Sequence, residues 1–280
     1  MELTNLRPAA LAGQWYRADP QQLEQEVRGY IEAVDVPKLK GRVIGLIAPH
    51  AGHIYSGPVA GHAFATVKGK QVDTVMVISP FHAGHTSPLM TTIHDGYTTP
   101  LGDIPVDKDN LARLEGRLSE QGGPMVAAVS RDREHAVEIE LPFLQTTLSG
   151  DFKLLPLMHA SLPLDETEAL AVALADTLRG QKALLIASSD LSHFYSQETA
   201  NKLDHTLLDA VASFDPKKVL EVHANGKGQA CGLAAILTVM HATRMLGATR
   251  SDIIKYATSG NVSGDYQRVV GYASAAFTGN

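Results

Sequence analysis

The tetrapeptide His-Ala-Gly-His occurs twice, at residues 50–53 and 82–85. Each copy closes an apolar run that reads as a buried strand, residues 43–48 and 74–79. A third strand-like run, 183–188, ends in Ser189-Asp190-Leu191-Ser192-His193. In an open α/β sheet, ligands lie outside the carboxyl ends of the strands. Three histidine-bearing turns at three such ends face one crevice. Imidazoles gathered at one point suit a metal ion or acid–base chemistry. Three unrelated loop histidines are the plain alternative, since loops carry many polar residues.

The rest of the chain alternates strand and helix. Asp19-Pro20 opens a helix to about residue 34, with aspartate as cap and proline in the first turn. Helices are also expected over 56–67, 106–118 (capped by Asp107), 136–148 despite Pro142, 165–178, 199–214, 215–222 and 229–246. Strands are expected over 125–129, 152–158, 253–258 and 268–277, with short extended pieces in 86–105 and a polar loop at 259–265. This order predicts one α/β domain over 1–280, with an arm at 1–20 and a mixed, mostly parallel sheet flanked by helices on both faces. With 280 residues, roughly 75% of the unfolded surface can be buried, so stability needs no disulfide or structural metal.

Several function classes lose support. The net charge is −6 and no basic stripe exists, so nucleic acid is not an expected partner. Residues 43–67 lack Asp, Glu, Lys and Arg and are long enough to span a membrane. They also hold His50, His53, His62, Pro49 and Pro58, which suit a strand, a turn and a helix better than lipid. The single cysteine, Cys231, forbids an intrachain disulfide and a four-cysteine zinc site, and fits a reducing compartment. The first residues lack a basic start with an apolar core, so a cytoplasmic location is expected. The Gly-rich phosphate loops and the G-x-S-x-G elbow are missing, which argues against a nucleotide cofactor and an α/β-hydrolase.

The chemistry-bearing residues each have a second reading. Pro49 and Pro80 stop their strands and place His50 and His82 just beyond the sheet. His53 is a second ligand or pocket wall, and His85 supports His82, which sits nearer the strand end. Asp190 either orients a histidine or caps a turn. His193 is an acid–base group or a solvent histidine. In Arg133-Glu134-His135-Ala136-Val137-Glu138, helical spacing sets Glu134 and Glu138, or His135 and Glu138, on one face, or the acids simply start a helix. Cys231 precedes an apolar helix and is either a core residue or a thiolate ligand.

Together and in this order the motifs resemble the Memo family, the Memo-like component of the AMMECR–Memo–radical SAM gene grouping. The resemblance spans nearly the whole chain, from Arg7, Ala12-Gly13 and Trp15-Tyr16 through Ala48-Pro49-His50-Ala51-Gly52, Tyr55-Ser56-Gly57 and Thr99-Pro100-Leu101-Gly102. It continues in Glu134-His135, Glu138, Leu141-Pro142-Phe143, Ser188-Ser189-Asp190, His193 and Cys231-Gly232. It implies a fold like that of class III extradiol dioxygenases, which open aromatic diols with non-haem iron. It implies metal ligands at His50, His82 and Cys231, an acid–base role for His193, and Asp190, His135 and Glu138 lining or bracing the pocket. The thiolate stands where the dioxygenases use a carboxylate, a softer donor that suits copper or zinc as well as iron. The implied function is a metal-dependent oxidoreductase using iron or copper on a small, aromatic substrate. A non-catalytic metal- or peptide-binding adaptor, and a hydrolase or lyase using zinc-bound water, are the alternatives. The gene grouping implies radical SAM and AMMECR-type protein partners. Phe81, Ala83, His53 and Leu233 stand where the family commonly has serine, histidine, tyrosine and arginine.

Overall fold

The computed structural model of the chain describes residues 3–36, 38–83, 85–130, 132–160 and 162–280. The first half runs β1 (Leu6–Arg7), α1 (Pro20–Glu32), β2 (Arg42–Ala48), α2 (His53–Ala65), β3 (Thr74–Pro80), β4 (Leu89–Thr92), β5 (Gly96–Thr99), β6 (Gly102–Pro105), α3 (Lys108–Gln121) and β7 (Val126–Val129). A single 3-10 turn, Glu138–Glu140, leads into α4 (Leu141–Thr147). The second half runs β8 (Lys153–His159), α5 (Glu166–Leu178), β9 (Ala183–Ser188), β10 (His193–Tyr195), α6 (Gln197–Ala212), α7 (Pro216–Ala224), α8 (Leu233–Met245), β11 (Ala248–Thr258), α9 (Gly260–Ser263) and β12 (Val269–Gly279).

Local chemistry explains the boundaries. Asp19 caps α1, its carboxylate accepting the Gln22 backbone N–H at 2.9 Å, and Leu23, Val27 and Ile31 form the buried stripe at four-residue spacing. Asp107 caps α3 in the same way, and Gly122 ends it in the left-handed conformation.

The main sheet has β2, β9, β3 and β8 side by side and parallel. Beyond β8 lies β4, antiparallel, then β7, parallel to β4. Beyond β2 lies β12, antiparallel, with β11 along its other side and β10 pairing with its first residues. The parallel strands end level: Ala48 pairs with Ser188, and Ala187 with Ile78. Strand residues alternate between two cores. Met76, Ile78, Leu185 and Ala187 face one core with α5 and α8, whereas Val75, Val77, Leu184 and Ile186 face the other with α1, α2 and α4. The expected α/β architecture, with a mixed sheet covered on both faces, is therefore the observed one. Among the described residues no helix is long and apolar enough to cross a membrane.

The expected arm carries β1, which joins β5 and β6 in a separate three-stranded sheet. Several boundaries differ from expectation. The helix expected over 136–148 is shorter, because Pro142 sits in the first turn of α4 and the preceding segment is irregular. Hence Glu134 and Glu138 do not share a helical face. The last long helix starts at Leu233, not 229, so Cys231 lies in a turn. The segment after Asp190 contributes β10, and α2 begins at His53 with Pro58 inside it.

Candidate metal centre

The level ends of β2, β9 and β3 place His50, Asp190 and His82 each two residues beyond the sheet. His50 and His82 meet edge to face with ring centroids 5.4 Å apart. His135 joins them, stacked on His82 at 4.6 Å and edge-on to His50 at 5.3 Å. The ligand-type nitrogens of these three histidines lie within 4.8 Å of one another. Cys231 reaches the group through His50, its Sγ 3.3 Å from His50 Nε2.

Cys231 gets there by close packing of Gly232 on β9. A Cβ at Gly232 would stand 2.6 Å from the Ser188 carbonyl oxygen and 2.7 Å from Ser189 Cβ. Only glycine allows that approach. The Gly232 N–H donates to Ser189 Oγ at 2.9 Å, and the Asp190 N–H points at Cys231 Sγ at 3.3 Å. Burial pushes the Cys231 thiol well up, and the nearby Asp190 charge adds to that.

Hydrogen bonds fix which ring nitrogen faces inward. His50 Nδ1 bonds Ser188 Oγ at 2.9 Å, and Ser188 in turn lies 2.8 Å from Glu140 Oε1, which leaves His50 Nε2 for the cluster. Glu134 serves two rings. Its Oε1 bonds His82 Nδ1 at 3.0 Å and stands 3.1 Å from His135 Nδ1, and it also accepts the His135 backbone N–H at 2.8 Å. Its Oε2 accepts the His82 backbone N–H. Burial works against the Glu134 charge, but these bonds prevail and hold the carboxyl at about 2. For His82, burial lowers the proton affinity and the Glu134 carboxylate more than reverses it. Burial holds His50 well below the histidine range and His135 at about 4.

The remaining expected residues separate into two groups. Asp190 is buried; its Oδ1 accepts the backbone N–H of His50 at 2.8 Å, so it holds the turn rather than a ring, and burial raises its carboxyl to about 7. His193 Nδ1–H donates to the Leu191 carbonyl, 2.8 Å away, which makes Nδ1 the protonated nitrogen and leaves Nε2 with its lone pair. It is close enough to depress the proton affinity of His50. Glu138 faces away from the rings. Its Oε1 accepts Leu11 N–H and the Tyr16 hydroxyl, both at 2.8 Å, and its Oε2 accepts Arg7 Nη1 at 2.6 Å. His53 is a buried wall between Tyr16 and Phe143, bonded through Nε2 to the Ile139 carbonyl at 3.1 Å. His85 is exposed and accepts the Ser87 N–H at 3.0 Å.

Sequence reasoning missed three members. Glu140 is fully buried with Oε2 unpartnered, and burial raises its carboxyl well above the usual range. Its signal was an acid inside the apolar run Ile139-Glu140-Leu141. His159 ends β8 beside Pro80 of β3, is buried, has no partner at Nε2, and is held at about 4 by burial. The strand-end rule that singled out His50 and His82 applies to it equally. Arg7 bonds Asp132 and Glu138 and donates Nη2 to the Glu134 carbonyl at 2.7 Å, fastening the loop that carries Glu134 and His135. Trp15, next to this clasp, packs at a tilt against His135, ring centres 4.2 Å apart.

A parallel-centred α/β sheet with clustered histidines beyond adjacent strand ends is consistent with the extradiol-dioxygenase-like fold that the resemblance implies. The sequence profile described as "Memo-like protein" matches residues 7–276. Curated relatives agree along their whole length. A MEMO1 family protein of Methanosarcina mazei is 36% identical over 275 residues, covering 96% of this chain and 98% of the relative. One from Methanococcoides burtonii is 34% identical with the same coverage. One from Methanobrevibacter smithii is 34% identical over 284 residues, covering 97% and 99%. The chain belongs to the Memo-like family.

Proposed function

We propose that the protein binds a transition metal ion through His50, His82 and Cys231 and acts as a metal-dependent oxidoreductase. The observation that carries this reading is the contact between His50 Nε2 and Cys231 Sγ at 3.3 Å, beside a second imidazole and far apart in the chain. Two donors sharing one ion, with bonds of ~2.0 Å to nitrogen and ~2.3 Å to sulfur, stand about 3.1–3.6 Å apart. The donor set is two imidazoles and a soft thiolate, which fits iron or copper and also zinc. A bound redox-active ion supplies the site with the means to activate oxygen or peroxide.

The chain's own groups do the rest. Ser188 and Glu134 hold the rings of His50 and His82 by Nδ1. Asp190 fixes the turn that carries His50. His193, with Nε2 free, takes a proton from a substrate hydroxyl or returns one. A small aromatic substrate is the expected partner, and radical SAM and AMMECR-type proteins are partners to seek by co-purification.

The test is metal analysis of protein purified without oxygen and without a metal-affinity column, followed by oxygen uptake with a panel of catechols. Iron or copper near one ion per chain, lost in His50→Ala and Cys231→Ser, is expected. Full zinc occupancy would favour the hydrolase or lyase reading, and no ion with any metal offered would end the proposal. An adaptor reading is favoured by exposed aromatic residues near the site, Trp15 and Phe194 among them. Equal recovery of partner proteins by wild type and His50→Ala, with no turnover, would support it.

A further inference from the structure

A groove of about 500 Å3 adjoins the histidine cluster and is not needed to hold the ion. Its wall is continuous with the site in three places. Ala51 and Gly52 directly follow His50, Phe194 directly follows His193, and Trp15 is the residue packed against the His135 ring.

The groove concentrates exposed apolar surface. Trp15, Ile54, Tyr55 and Phe194 line it while being 37%, 63%, 40% and 62% exposed. Exposed Val262 and Tyr266 stand in the segment that forms one bank. Soluble chains seldom gather such residues without a ligand for them. The backbone is strained at the same place: Phe194 has φ +66°, the left-handed region that a bulky residue avoids. Strain of this kind gathers at functional sites.

Charge gives the groove a direction. Arg268 is the cation among its described lining residues, with its guanidinium carbon 5.4 Å from the Phe194 ring centre. It enters no ion pair with a described residue. Asp265, the acid of the wall, turns its Oδ1 to the Gln267 backbone N–H at 2.9 Å.

We propose that this groove binds a small organic anion with a flat apolar body. The body lies among Trp15, Tyr55 and Phe194, and its carboxylate or sulfonate pairs with Arg268, whose planar fork matches such oxygens. The volume lies within the ~300–1,000 Å3 of ordinary small-molecule sites. Calling the ligand a substrate rests on the metal-centre reading; the binding itself does not.

Trp15 is the only tryptophan of the chain, so its emission reports on the groove. The experiment uses the full chain, metal-stripped and metal-loaded. It follows energy transfer from Trp15 to 1-anilinonaphthalene-8-sulfonate, then displaces that probe with 2-naphthoate or with neutral 2-naphthamide. One saturable site is expected in both metal states. Arg268→Gln should weaken the sulfonate and naphthoate about tenfold or more, the loss of one charge-assisted pair, and leave naphthamide within about twofold. Arg268→Lys should recover part of the loss. Equal naphthoate affinity in Arg268→Gln and wild type would overturn the proposal, as would binding that never saturates. So would sedimentation showing that a second copy of the chain already covers Trp15. Failure to bind any ion would sink the metal centre and leave this titration unaffected.

Discussion

Ser188 is a small residue with three partners. Its hydroxyl sits 2.9 Å from His50 Nδ1, 2.8 Å from Glu140 Oε1 and 2.7 Å from the Ala136 carbonyl. A group that aims a ligand ring typically contributes 10–100-fold to metal affinity. Ser188→Ala should therefore raise the dissociation constant by about 10–100-fold, measured by competition with a chromophoric chelator. Unchanged affinity would mean that packing alone aims His50. Asp204 shows a separate residue-scale effect. It accepts the Ser192 N–H at 3.0 Å and the Tyr256 hydroxyl at 2.8 Å, and a Cβ on Gly271 would stand 1.9 Å from its Oδ2. Burial raises its carboxyl above the ordinary 3.8, and the hydrogen bonds offset only part of that. The folded chain thus keeps a proton that the unfolded chain has lost. Asp204's contribution is full below 3.8 and is lost as pH climbs through the raised folded value. Tyr256, His205 and His193 are its titratable neighbours. Asp204→Asn should remove the decline, so urea unfolding should show the variant gaining on wild type as pH rises. A constant difference across pH would refute the assignment.

The N-terminal arm works as an element rather than as an extension. Arg7 is 1% exposed and bridges Asp132 and Glu138 at 2.8 and 2.6 Å. Arg7→Met would leave two buried carboxylates without their cation, a loss of about 3–5 kcal/mol. Chemical denaturation should show that loss, and metal affinity should fall with it because Glu134 and His135 ride on the same loop. Retained affinity in a destabilised variant would show that the clasp serves stability alone. Arg7→Lys should rescue only part, since one ammonium cannot reproduce the fork. The sequence carried Arg7 and Glu138 in plain view, but no periodicity links residues 131 positions apart. Strand ends were legible because Pro49 and Pro80 punctuate them. The helix expected over 136–148 starts late because Pro142 takes the first turn of α4, and the irregular segment before it is tied to Arg7 at Asp132, Glu134 and Glu138 rather than to a helical neighbour. Cys231 could not be told from a core cysteine, since its position depends on how closely Gly232 meets β9. His159 was legible by the same rule as His50 and went unread for lack of a proline beside it.

At the scale of the whole molecule, the proposed ion, if held by His50 after β2, His82 after β3 and Cys231 in the turn before α8, would tie distant parts of the fold together. An ion present at a hundredfold its dissociation constant stabilises the folded state by about 2.7 kcal/mol. For a chain of 280 residues that is a rise in Tm of roughly 5 °C. Thermal melts of stripped and reloaded wild type should show it, and Cys231→Ser should not. An identical Tm with iron, copper and zinc and with none would mean that no ion closes the cluster. The sheet's own order has a consequence for how the chain is made. Strand β12 stands between β2 and β11, yet its residues 269–279 are translated after both. Until β12 has emerged from the ribosome, β2 offers one bare edge and β11 another. Up to that point a holdase chaperone has two open margins to guard.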